Sequence, residues 1–191
     1  MSMENIKFGT REIVAMVTGV ALFAAARLLE NYIFSKGILP ESLAGWFSLG
    51  LLIIATSAVF FGPVCGMLCG IGGDLIIRAL FGSSVRFLEL FTLGLYGLLI
   101  GIFYGRLQGN RYRFGIREFV DFNVIQILVG ITCGIFIVPL GRFMIDGSDL
   151  SESIVYGTQR TLGVSVMVGV ILPVIMFIVS RKSSGRKDRD A

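Results

Sequence analysis

A chain of 191 residues that is 54% hydrophobic and only 16% charged cannot clothe a soluble surface, for which ordinary domains use roughly 25% charged residues. At about 20 residues per membrane span it has room for six spans and short loops but no second folded domain, so the sequence predicts an all-α integral membrane bundle of six transmembrane helices. The net charge of +4 comes with no histidine. Imidazole bases and imidazole metal sites are therefore excluded, and the basic residues form no stripe of the kind that nucleic-acid binding needs.

The first apolar run is about Ile13 to Leu29. Its Ala24-Ala25-Ala26 resembles a signal-peptide cleavage region. However, Glu4 and Glu12 precede the run, and Arg27 and Glu30 continue the helical pattern beyond it, so it reads as a retained span. A polar loop, Glu30 to Gly45, leads to a second run from Trp46 to Phe61. Gly62-Pro63 breaks the chain, because proline restricts the residue before it and starts helices well. The third run is Val64 to Phe81 and, after a short loop, the fourth is Phe87 to Tyr104. Gly105 to Glu118 is basic and polar. A fifth run, Phe119 to Phe143, is followed by an acidic loop, Met144 to Gln159, and a sixth run, Thr161 to Val179. Residues 1–180 are expected to form the transmembrane domain and residues 181–191 a basic cytoplasmic tail.

With six spans both ends lie on one side, and that side holds eleven of the 17 basic residues. The positive-inside rule puts it, with both termini, in the cytoplasm.

Glycines recur at helical spacing, with Gly62, Gly66, Gly70 and Gly73 on the third span and Gly97, Gly101 and Gly105 on the fourth. Such residues let helices approach closely where no hydrophobic force drives them together. Cys65, Cys69 and Cys133 do not form a disulfide framework and read as small apolar packing. Asn123 and Gln126, one turn apart, are suited to interhelical hydrogen bonds, and Pro139 and Pro173 are expected to kink their helices. No pattern for a cofactor, a metal or a nucleotide phosphate is present, the G-x-x-x-x-G-K-[ST] loop included.

The most informative residues are ionisable ones within spans: Arg27 and Glu30, Asp74 and Arg78, Glu89, Arg142 and Arg160. Alternating helix direction puts them all toward the outer face. A charge in a span costs about 2.5–3.5 kcal/mol on insertion scales, so each should face the bundle interior and find a partner. Two readings follow: mutual neutralisation, or a polar chamber open to the outside with Trp46 and Tyr96 as stacking surface. Counting acids and bases on that side does not dictate a ligand's charge.

The order of features resembles the substrate-binding S components of energy-coupling factor (ECF) vitamin transporters, in particular their riboflavin-type, uncharacterised membrane branch. The likeness is carried by Thr10-Arg11-Glu12-Ile13-Val14 with Ala21-Leu22-Phe23-Ala24-Ala25, by Phe61-Gly62-Pro63-Val64-Cys65-Gly66 running to Gly70-Ile71-Gly72-Gly73-Asp74, and by Phe122-Asn123-Val124-Ile125-Gln126. Many members of that branch have His after the glycine-rich segment, where this chain has Gly73-Asp74. The resemblance implies a non-enzymatic subunit of the bacterial plasma membrane that captures a vitamin or precursor from outside. It also implies docking, in the lipid bilayer, onto a transmembrane coupling subunit driven by two ATPases. Ligand contacts would come from the outer helix halves and the first loop. The candidates are Arg27, Asn31, Trp46, Asp74, Arg78, Glu89, Tyr96, Arg142 and Arg160, with the first loop closing over the ligand. The coupling subunit would meet the small face at Ala21 and Ala25. A stand-alone channel or secondary transporter is the alternative. An intramembrane enzyme lacks any visible nucleophile–base pair, and an assembly factor would have partners but no ligand.

Overall fold

The computed structural model describes residues 10–40, 48–82, 86–107 and 115–187. Among these residues all regular structure is helical: α1 Thr10–Ser35, α2 Leu49–Phe61, α3 Pro63–Phe81, α4 Phe87–Leu107, α5 Ile116–Gly130, a π-helical stretch Ile131–Ile137, α6 Val138–Asp146 and α7 Leu150–Lys187. The fifth predicted span is thus α5, the π stretch and α6 in series. Five segments are long and apolar enough to cross a membrane, whereas α2 is shorter. Its 13 residues reach about 20 Å at 1.5 Å per residue.

Local chemistry sets the breaks. Gly62 caps both α2 and α3 with φ 99°, a conformation in which only glycine escapes a steric penalty. Pro63 then takes the first position of α3, where its missing N–H is no loss. Gly82 and Gly147 end α3 and α6 in the left-handed conformation. At the start of α5 the Gly115 N–H donates to the Glu118 carboxylate at 2.8 Å.

Three boundaries correct the sequence reading. Glu30 to Ser35 is the last part of α1 and not loop. Leu150 to Gln159, expected in an acidic loop, is helical and opens α7. That helix also runs past residue 180 to Lys187 and continues through Pro173. Polar residues at these helix ends resemble loop by composition, which hides where the helices stop.

The core centres on Phe23, Ile54, Cys69, Ile100, Phe122, Val168 and Leu172, all buried. Large apolar side chains such as Val17, Phe91, Val124 and Val166 remain exposed around the outside, as a lipid-facing belt requires. The glycine ladders lie at the tightest contacts. A Cβ on Gly66 would sit 3.0 Å from the Gly97 carbonyl oxygen, and one on Gly97 would sit 2.5 Å from the Gly66 carbonyl carbon. One on Gly70 would meet the Leu93 carbonyl at 2.9 Å. Here α3 and α4 touch backbone to backbone, as the spacing predicts. Gly62, by contrast, has open space around it and serves the turn. On α5, Gln126 donates from Nε2 to the Ser165 carbonyl of α7 at 2.9 Å, the expected interhelical bond. Its neighbour Asn123 turns back to Phe119 of its own helix. The three cysteines are buried.

The π stretch follows from Pro139. A proline withholds the N–H that a helix needs and crowds the carbonyl four residues earlier. Just before it, the Val138 N–H reaches back to the Cys133 carbonyl, five residues away, so one wide turn absorbs the crowding. Pro139 was expected to kink the helix; the pitch widens immediately before it.

Candidate functional site

One end of the bundle, where α1, α3 and α6 finish and α2, α4 and α7 begin, encloses a cavity of about 440 Å³. Every described helix contributes to its wall, α5 only through its last residue, Gly130. Six of the predicted residues line it: Arg27, Asp74, Glu89, Tyr96, Arg142 and Arg160. Its apolar surface comes from residues such as Phe23, Phe87, Leu93, Val138 and Val164.

The charges are held in two networks. At the end of α1, Arg27 pairs with Glu30 at 2.6 Å, and the buried Glu30 carboxylate also accepts the Gly50 N–H at 3.2 Å. That bond ties α1 to the start of α2. In the second network Arg78 donates from Nε to Asp74 at 2.6 Å and from a terminal nitrogen to Glu89. It thereby joins α3 to α4, and Arg86 reaches the same Glu89 at 3.3 Å. Asp74 is 5% exposed; in such a setting each charge needs its partner to offset the loss of water. Arg78 does not itself line the cavity; it stands behind Asp74 and Glu89 and fixes their positions.

A different arrangement holds on the far part of the wall. The Arg142 guanidinium lies 4.8 Å from the centre of the Tyr156 ring, a cation–π contact. Arg160 donates to the Tyr156 hydroxyl at 3.3 Å. Tyr96, 3% exposed, has a hydroxyl with no hydrogen-bond partner among the described residues, although buried tyrosine hydroxyls normally find one.

The other candidates fall elsewhere. Asn31 has an exposed side chain on α1 and is not part of the cavity wall. It was expected in a loop; it is one residue past the buried Glu30 on a helix, so it points away. Ala21 and Ala25 are exposed on α1. Trp46 lies outside the described residues, as does 41–45 of the loop expected to close over a ligand. Sequence reasoning missed Tyr156, Ser48, Thr92 and Thr161 in the wall. Tyr156 carried a usable signal, since it precedes Arg160 by one helical turn. Placing it in a loop hid that relation.

Residues 7–181 match the model of the family described as the ECF-type riboflavin transporter, S component, and the chain belongs to that family. It is a multi-pass membrane protein of a transporter class whose members confer substrate specificity and are not enzymes. Its relatives include UPF0397 proteins of Streptococcus pneumoniae serotype 19F (strain G54) and of strain 70585. Each is 25% identical over 191 aligned positions, covering 97% of this chain and 100% of the relative. No solved structure matches the chain.

Proposed function

We propose that this chain is the substrate-specificity subunit of an ECF-type importer. It takes a vitamin or vitamin precursor from outside the cell into the cavity and passes it inward through a coupling subunit powered by two ATPases. The observation that carries this reading is the cavity itself, a chamber walled by polar and aromatic side chains from helices far apart in sequence. A mainly apolar pocket with a few convergent polar groups is what a small-molecule site requires. In this reading α2 completes the sixth crossing and both termini face the cytoplasm, as the distribution of basic residues favours. Arg27, Asp74, Glu89, Tyr96, Arg142 and Arg160 address the ligand, and Arg78 positions two of them. The exposed Ala21 and Ala25 let a helix of the coupling subunit come close, because small side chains permit close approach.

The test is uptake into vesicles. Import should require the coupling subunit, the ATPases and ATP, and native mass spectrometry of the gently purified chain should show a retained small molecule. Uptake by the chain alone without ATP would replace this reading with a secondary transporter.

Two variants refine it. Tyr96→Phe removes a hydroxyl that makes no hydrogen bond among the described residues. It is expected to leave the empty protein's thermal midpoint unchanged while weakening ligand binding by about 1 kcal/mol, roughly fivefold. Unchanged affinity in a titration would take Tyr96 out of the contact set. The pair Ala21→Leu and Ala25→Leu adds bulk to an exposed face. It is expected to abolish co-purification with the coupling subunit while ligand binding is kept; retained co-purification would place the docking face elsewhere.

A further inference from the structure

The cavity's charges do not cancel. Arg27 is matched by Glu30, and Arg78 and Arg86 by Asp74 and Glu89. Arg142 and Arg160 line the same cavity, half-buried, and neither makes an ion pair among the described residues. Glu89 lies within electrostatic reach of Arg160, but its oxygens are already engaged by Arg78 and Arg86.

Arg142 and Arg160 also converge. One lies over the ring of Tyr156 and the other donates to its hydroxyl, so a single side chain from α7 gathers two like charges on one piece of wall. Guanidinium groups drawn together in a partly dehydrated setting repel each other, and each gains from an anion that takes up its free N–H groups. Arginine's planar fork matches carboxylate and phosphate oxygens in particular.

Resting on the importer reading above, we infer that the ligand carries an anionic oxygen group, carboxylate or phosphate, seated on Arg142 and Arg160. Its organic body lies along the apolar wall near Phe87, Leu93 and Tyr96.

The experiment uses the full-length chain in phosphatidylcholine nanodiscs and matched probes that differ only in charge: nicotinate against nicotinamide, and FMN against riboflavin. Binding is read by thermal shift, together with native mass spectrometry of whatever the chain retains from the cell. The expected result is that the anionic member of a pair binds about tenfold tighter or more, or that the retained molecule bears a carboxylate or phosphate. This preference should vanish in R142Q/R160Q, return in part in R142K/R160K, which guards against misfolding of the glutamine variant, and survive R117Q at the exposed start of α5. The carboxylate and phosphate pairs separate the two anion classes. A neutral probe bound as well as its anionic partner, a retained neutral molecule, a phospholipid as the sole retained anion, or a preference unmoved in R142Q/R160Q would overturn the inference and leave the importer reading standing. No probe bound and nothing retained would count against both.

Discussion

Replacing Arg78 with methionine is expected to cost about 3–5 kcal/mol of stability, the penalty for removing one partner of a buried ionic cluster. The reason is geometric. Arg78 contacts two carboxylates at once, Asp74 on its own helix and Glu89 on α4. Its loss leaves the buried Asp74 with no cation and releases the only ion pair between α3 and α4 among the described residues. Neutralising all three groups together, with Asp74→Asn, Arg78→Met and Glu89→Gln, is expected to recover most of the loss. A buried ionic cluster is costly mainly when half of it is missing. Thermal unfolding in detergent measures both variants. An Arg78→Met protein as stable as the parent would show that the cluster is solvated and structurally idle.

Gly97→Leu should be of similar size. Overpacking a tight contact typically costs about 1–3 kcal/mol, and this contact offers no side chain that can swing aside. The nearest atoms to a new Cβ are the backbone carbonyl carbon and oxygen of Gly66. The helices must therefore part, and the effect falls at or above the upper end of that range. Even Gly97→Ala should lower the thermal midpoint measurably. Ala21→Leu adds bulk on an exposed face and is expected to leave the midpoint where it was. Equal midpoints for Gly97→Leu and the parent would contradict backbone-to-backbone packing of α3 on α4.

Much of this was legible in the sequence because the membrane is a severe solvent. Apolar runs located the helices, and ionisable residues within them had to gather, so Arg27, Asp74, Glu89, Arg142 and Arg160 could be assigned to one end of the bundle from helix direction alone. The Gly66–Gly97 contact likewise follows from spacing. What composition hid was where the helices end. Glu30 looks like the first residue of a polar loop, yet it is buried beneath the start of α2 and bonded to Gly50. Tyr156 lies in a stretch too acidic to read as helix, so its tie to Arg160 was invisible. Pairing is a three-dimensional property as well. A count of acids and bases on that side says nothing about which cations lack an ion pair, whereas the contacts among the described residues single out Arg142 and Arg160.

The wide turn at Ile131–Ile137 carries a further implication for how this scaffold changes its preferences. A five-residue backbone ring holds one amino acid more than the regular helical repeat allows, so deleting one position there would let the segment tighten. Because the ring already absorbs the extra position, α6 beyond it would keep its facing, with Arg142 still over Tyr156. What would change is the wall at Cys133 and Gly134, which line the cavity. Length variation at this spot therefore reshapes that part of the wall, a route to new cargo that spares the architecture.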